Sequence, residues 1–404
     1  MVTLDLERLR SETPGCEHRI HFNNAGAGLM TSSTLQAMVD HLRLEAEIGG
    51  YEAADARSDA IADFYAATAQ LIGCRPHEVA FATSATDAFT RALSSVPFEP
   101  HDVILTTKDD YISNQIAFLA LRKRFGVEVV HAPTLTEGGV DVSEMARLMR
   151  ERRPRVVVVT HIPTNSGLVQ PVAEIGSHCR ELDLLYLVDA CQSVGQYPLD
   201  VAEIGCDFLS VTCRKFLRGP RGSGFLFVSD RALRLGFEPL FIDMRGARWI
   251  ADGQYAPVAG AARFEDWEFP YAAVIGAAAA IRYTLRVGLD DIAARSPLLA
   301  AQLRDGLAAI DGVRALDRGR QLCAIVTVAI EGWNPDQLKT ALDRRGINSA
   351  ISLREYALYD FTEKNVDWCL RLSPHYYNTE EEVAQVLAAV EELASARSGH
   401  ASGC

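Results

Sequence analysis

Seven short apolar runs between residues 79 and 228 constrain this chain more than any other feature. They cover residues 79–82, 103–106, 127–131, 156–160, 184–188, 208–211 and 225–228. Each has the length and β-branched or aromatic content of a buried strand rather than a helix. Helical stretches separate most of them. Strands alternating with helices build βαβ units, whose parallel sheet is covered on both faces. After about residue 240 the pattern breaks. Residues 241–270 read as loop, rich in Gly, Pro and aromatics. Helices are then predicted over 271–287, 297–310, 335–345 and 379–396, with strands over 323–328 and around Arg371. The predicted fold is α/β, with a mainly parallel seven-stranded sheet in a large domain over 21–270. A smaller α+β domain spans 271–396 and is joined by the N-terminal segment 1–20. Residues 397–404 read as a mobile tail.

A 404-residue chain that is 48% hydrophobic has material for two cores. The net charge of −13 argues against nucleic acid or anionic membrane as general partners. Nine cysteines are scattered with no CxxC and no zinc-like Cys/His spacing, so no metal site is predicted. Several sit inside apolar runs, as buried free thiols do, which suggests a reducing compartment. The N-terminus carries no apolar signal core, and the uncharged run near residues 271–281 is too short to span a bilayer. A cytoplasmic protein is the expectation.

The strand ends carry the chemistry. Asp189 closes the fifth run, and Lys215 lies just beyond the sixth. Ligands of open α/β sheets bind outside the carboxyl ends of the strands. Of five lysines in the chain, only Lys215 follows a buried strand and precedes a Gly-rich turn. A lysine in a dry pocket loses proton affinity and can form an imine with an aldehyde. A buried aspartate can hold a pyridine nitrogen protonated. Together they describe a site for pyridoxal phosphate. The bland reading is a helix-capping Asp and a solvated Lys.

The remaining needs of that cofactor can be matched in turn. Residues 81–87, FATSATD, end a strand and open a helix, so Ala85 and Thr86 lie where N–H groups receive a phosphate. An ordinary N-cap at Thr83 or Ser84 competes with that reading. Thr212 and Arg214 flank Lys215 and can reach the same phosphate. Arg218 and Arg221 are as readily structural. Tyr111, after the second run, suits stacking on the pyridine. Gln192, three residues past Asp189, suits a bond to the ring oxygen. Thr164 or Asn165 can contribute from the turn after the fourth run, where His161 reads as a satisfied core residue. Arg371, between apolar neighbours, suits a clamp on a substrate carboxylate, with a structural ion pair as the alternative. Gly26-Ala27-Gly28 lacks the third glycine of a dinucleotide fingerprint and reads as a turn, which disfavours a nicotinamide-dependent dehydrogenase.

The motifs HFNNAGAG, FATSATDAF, DDYISN, THIPTNSGLVQP, LVDACQSVGQ, SVTCRKFLRGPRGSGFLFV and LRLSPHYYNTEEEV occur in that order. Together they resemble the class V aminotransferase and cysteine desulfurase group of fold-type I pyridoxal phosphate enzymes, over roughly residues 20–390. The resemblance implies Lys215 as the lysine that holds the cofactor and Asp189 as partner of the pyridine nitrogen. It implies Gln192 at the ring oxygen and Tyr111 in place of a stacking histidine. Thr86, Thr212 and Arg214 fall at phosphate positions, and Arg371 at the substrate carboxylate. Asn24 in the first motif is assigned to the substrate side. The resemblance also implies a homodimer, with residues 263–267 approaching the neighbouring site. Cysteine desulfurases carry a nucleophilic cysteine on a second-domain loop before the carboxylate arginine. Residues 347–356 here, INSAISLREY, hold none, and Arg354 in that loop is expected instead to meet an anionic or polar part of a larger substrate. The expected reaction is β-elimination at the C–S bond of a cysteine S-conjugate. Transamination, epimerisation and decarboxylating chemistry are the alternatives within the family, and a non-catalytic binding protein is the alternative outside it.

Overall fold

The computed structural model describes residues 4–401. Helices α1 (Ser32–Ile48) and α2 (Ser58–Ile72) precede the sheet. All seven apolar runs form strands: β1 (Val79–Ala82), β2 (Val103–Thr106), β3 (Glu128–His131), β4 (Val156–Thr160), β5 (Leu185–Asp189), β6 (Phe208–Thr212) and β7 (Gly224–Val228). They assemble in the order β1-β7-β6-β5-β4-β2-β3. Only β7 runs against the rest, pairing antiparallel with both β6 and β1. Burial explains the runs. Residues of β1, β2, β4, β5, β6 and β7 are buried throughout, so neither face needs polar alternation. One face packs Val157, Val159, Tyr186 and Leu209 in one apolar cluster, and the other packs Ile104, Val156, Val158 and Phe208 in another.

Two helices matter for the site. Helix α3 (Ala85–Ser94) follows β1, and α4 (Ile112–Phe125) follows β2. Both start at the carboxyl ends of their strands, the edge that also carries Asp189 and Thr212.

Helix α5 (Tyr271–Val287) departs from the predicted domain boundary. Val274, Ala277 and Ile281 belong to the same apolar cluster as the large sheet. The helix therefore packs with the large domain, and the packing changes over near Gly288, where the chain bends. The helix predicted over 297–310 begins earlier, as α6 (Leu289–Ala308), and carries Pro297 inside it. The small-domain sheet consists of β8 (Val313–Ala315), β9 (Val326–Ile330), β10 (Ala350–Leu353) and β11 (Trp368–Leu372), ordered β8-β9-β11-β10. The strand predicted at 323–328 starts three residues later because Cys323 donates its N–H to Gly167 O at 2.7 Å and so belongs to the interdomain contact. Helix α7 (Glu380–Ala401) continues past residue 396, so the predicted tail is helical over 397–401. Residues 402–404 lie outside the described residues. The segment read as loop over 241–270 contains a hairpin, Ala247–Ala251 with Gln254–Pro257. Its residues are mostly exposed, so it carries no burial pattern to read.

The N-terminal segment reaches the small domain. Ile20–His21 pairs in parallel with Ile347–Asn348, and Asn23 bridges to Ser373. Phe22 and Ala25 enter the small-domain apolar cluster.

Candidate active site

The turn that presents Lys215 is built by close backbone approach. Arg218 N–H donates to Lys215 O at 2.9 Å, with Arg218 itself at φ 61°. Gly28 N–H donates to Arg214 O at 2.8 Å, and a Cβ on Gly28 would lie 2.6 Å from Lys215 O. The glycines of GAG therefore serve a close approach, as a turn does, and not a dinucleotide. Arg218 is wholly buried. It donates to Leu29 O at 2.7 Å, to the Tyr376 hydroxyl at 2.5 Å and to Thr13 Oγ1 at 2.5 Å, so it locks the turn to both termini.

Ser84, Ala85, Thr86, Tyr111, Asn114, Asp189, Cys191, Thr212, Arg214 and Lys215 line one cavity. Seven of the sequence-predicted residues are thus brought together. Asp189 is buried at the end of β5. Its two oxygens accept from Cys191 N–H at 3.0 Å and Asn114 Nδ2 at 3.1 Å. Burial raises its proton affinity, and Lys215 opposes that shift. Lys215 is 7% exposed and donates to Cys191 Sγ at 3.3 Å. Burial lowers its proton affinity, which suits an amine that must react unprotonated.

Ser84 is the N-cap of α3, accepting from Asp87 N–H at 3.1 Å. The capping reading is therefore correct for Ser84, and it does not compete with anion binding. Once the cap is made, the first-turn N–H groups of Ala85 and Thr86 still point out of the helix beside Arg214. Thr212 Oγ1 donates to Ser223 O at 3.4 Å. Arg214 Nη1 donates to Gly26 O.

The substrate side is assembled differently from expectation. Arg371 on β11 is 8% exposed. Its guanidinium donates to Thr164 O at 3.0 Å, Thr164 Oγ1 at 2.9 Å and Asn23 Oδ1 at 3.2 Å. Its Nε has no partner, and among the described residues no carboxylate pairs with it. Burial lowers its proton affinity to about 10. The structural ion pair is thus not formed among the described residues. Asn24 turns away: it donates to Ser373 O at 2.8 Å and accepts from the Tyr377 hydroxyl. Both ends are spent on the fold, and Asn23 is the neighbour that meets Arg371. Arg354 is also apart. It is exposed and bound to Thr362 Oγ1 at 3.0 Å and Asp367 at 3.4 Å. The segment expected to be a loop there is strand β10 and a following turn. Asn165 donates to Tyr356 O at 3.1 Å, tying the Thr164 turn to that segment.

Gln192 departs in a smaller way. Its amide nitrogen donates to Ala25 O at 3.1 Å and Thr164 Oγ1 at 2.6 Å, leaving Oε1 buried and unpartnered. In this arrangement it offers an acceptor, and meeting a ring oxygen as donor requires the amide to turn over. His161 is buried, with Nδ1 unpartnered, so it is not the satisfied core histidine expected. In the 263–267 segment Arg263 donates to Phe237 O at 3.3 Å, Glu265 accepts from Arg245 at 2.7 Å, and Trp267 is 50% exposed. Sequence reasoning missed Asn23, Asn114 and Cys191. The available signal for Asn114 was its place in the first turn of the helix that opens after the second strand, at the edge that carries Asp189.

Lys215 and Arg214 line the cavity with Asp189, and Arg371 lies near enough to Arg214 for their charges to interact. That surplus of cations fits a dianionic phosphate and a carboxylate, and the buried acid fits a pyridine nitrogen. The aminotransferase class-V family model matches residues 20–386. The chain belongs to the aminotransferase class-V family. It is 27% identical over 405 residues to a probable cysteine desulfurase of Methanothermobacter thermautotrophicus, covering 98% of this chain and 99% of that protein. It is 30% identical over 382 residues to a probable hercynylcysteine sulfoxide lyase of Mycobacterium tuberculosis, covering 94% of this chain and 91% of that one. Its fold is that of a cysteine desulfurase from Thermococcus onnurineus, with a TM-score of 0.89, 24% identity and coverage of 98% and 99%. A class-V member with this site is an enzyme dependent on pyridoxal phosphate. Among the described residues no single helix is long and apolar enough to cross a membrane.

Proposed function

We propose that this class-V enzyme cleaves the C–S bond of a cysteine S-conjugate or its sulfoxide by β-elimination. One observation carries the reading. Arg371 is buried with hydrogen-bond partners but no anion, yet the segment expected to bear a persulfide-forming cysteine is a strand and turn without one. Cys323 and Cys369 are fully buried in the small domain. Cys191 does line the site, but burial raises its proton affinity and disfavours the thiolate that sulfur transfer needs. The 30% identical relative named as a sulfoxide lyase supports the same reading.

In this reading the substrate is an amino acid whose carboxylate is clamped by Arg371, steadied by Thr164 and Asn23. Pyridoxal phosphate, when bound, supplies an electron sink for charge at the α-carbon. Lys215 holds it at rest, and Asp189 keeps a proton on its ring nitrogen. Lys215, once freed, takes the α-proton, and burial, by lowering its proton affinity, favours the neutral amine that a base must be. Tyr111 and Cys191 line the cavity and would contact the ring when it is bound. Thr86, Ala85, Thr212 and Arg214 are assigned to the phosphate. The net reaction consumes water and one substrate and yields pyruvate and ammonium, with a thiol from an S-conjugate or a sulfenic acid from its sulfoxide.

The test is to mix holoenzyme with a cysteine S-conjugate and assay pyruvate and thiol together. Equal amounts of both support β-elimination. A cofactor spectrum that shifts with substrate while no pyruvate forms refutes it, in favour of transamination, epimerisation or decarboxylation. Alanine formed from free cysteine, with no pyruvate, would instead mark a desulfurase.

A homodimer belongs to the same proposal. Phe241, Met244, Trp249 and Ile250 are 86%, 66%, 83% and 57% exposed on one segment, an apolar surface that a second copy would cover. Sedimentation velocity should show a dimer, and a monomer at micromolar concentration would refute it.

A further inference from the structure

A second buried carboxylate is linked to Asp189 through one amide and takes no part in the proposed reaction. Asp110 precedes Tyr111 and is 6% exposed. It accepts from Tyr111 N–H at 2.6 Å, Asn114 Nδ2 at 3.0 Å and Gln115 Nε2 at 2.7 Å, and from the Thr160 hydroxyl. Among the described residues it has no ion pair. Asn114 Nδ2 reaches Asp189 Oδ2 at 3.1 Å as well, so one amide bridges two buried acids. The charged and titratable groups around Asp110 are few: Asp189 through Asn114, with Lys215 beyond it, His131 through Gln115 at 2.9 Å, and Asp109 next in the chain.

An amide between two carboxylates has only one good orientation. Its NH2 must face both, because turning it over would set the carbonyl oxygen against a carboxylate lone pair. Asp110 therefore fixes the face that Asn114 shows to Asp189. It also puts a second buried carboxylate one amide away from Asp189, in a region where charges are weakly screened.

We propose that Asp110, acting through Asn114, is a positioning residue that orients Asp189 and strengthens its hold on the protonated pyridine nitrogen of the cofactor. The inference rests on the cofactor site and is indifferent to which bond of the substrate breaks. Burial raises the Asp110 carboxyl to about 6, opposed by its hydrogen bonds, so the effect should fade in acid.

The experiment measures pyridoxal phosphate affinity and the pH profile of the bound cofactor's visible band, with no substrate present. Wild type is compared with Asp110→Asn, Asp110→Glu and Asn114→Ala. Asp110→Asn should weaken affinity roughly tenfold above neutral pH, the equivalent of about one pKa unit. The ratio of wild-type to variant affinity should approach one below about pH 5, where Asp110 is protonated in both forms of the site. The midpoint of the band should move in Asp110→Asn and return toward wild type in Asp110→Glu. Asn114→Ala, which keeps the other bonds of Asp110, should move it likewise. An unchanged affinity and band profile in Asp110→Asn would overturn the proposal. So would a loss equal at every pH and not restored by Glu, since that is a packing defect. If Asp110→Asn does not fold, an unmoved profile in Asn114→Ala overturns it alone.

Discussion

Lys215 and Arg371 illustrate how differently two buried cations can be justified. Lys215 faces an acid, and its ammonium is easily given up. Arg371 has amide, hydroxyl and carbonyl partners but no anion, and a buried unpaired guanidinium is costly unless a ligand supplies the charge. Replacing Lys215 with Ala should abolish the visible band of the bound cofactor, because no other lysine lines the cavity. A persisting band would overturn its assignment. Replacing Arg371 with Ala should weaken substrate binding by roughly 2–5 kcal/mol, as loss of a desolvated charge pair does, while cofactor affinity stays near wild type. Calorimetric titration of a non-reactive substrate analogue would check both. Lys215 was legible in the chain because lysines are scarce and its turn is Gly-rich. Asn23 was not, because its partner Arg371 is 348 residues away.

The strands and helices place these groups through tight contacts at a few glycines. Gly176, in the helix Val172–Glu181, lies against the short helix Val201–Ile204, and an added Cβ would sit 1.8 Å from Ile204 O. Backbone on one side and sheet on the other leave no room to yield. Gly176→Ala should destabilise by about 3 kcal/mol, the upper end of overpacking costs, read as a lowered urea midpoint with unchanged slope. An unaltered midpoint would show that the two helices separate at little cost. Strand identity was well marked in the sequence because these strands are buried on both faces. The exposed hairpin at 247–257 was not, because an exposed ribbon has neither an apolar run nor alternation to reveal it.

The two domains meet across a charged cluster close to the site. Asp109, on the loop before Tyr111, faces Asp360 and Lys364 of the small domain, where Lys364 Nζ lies 2.7 Å from Asp360 Oδ2. Burial and then Asp360 hold the Asp109 carboxyl above its usual range, with Lys364 opposing. A raised folded pKa means that the folded state binds the extra proton. The stability it confers is full below the unfolded carboxylate range and is lost as pH rises through the folded value. Asp109→Asn, neutral throughout, should therefore gain on wild type as pH rises from about 4 to about 8. Thermal melts across that range would check it, and a difference independent of pH would refute it. The order of apolar runs was enough to specify an α/β sheet, because burying seven strands on both faces leaves few alternatives. Composition and local turns were enough to pick out Lys215 and Asp189, because each stands at a strand end. What chain order does not contain is which distant groups meet. The placement of α5 on the large domain, the Asn114 bridge between two acids, the turning inward of Asn24 and the outward pairing of Arg354 all depend on contacts between segments far apart in sequence. Such contacts exist only once the sheet has formed and the N-terminal segment has been drawn into the small domain.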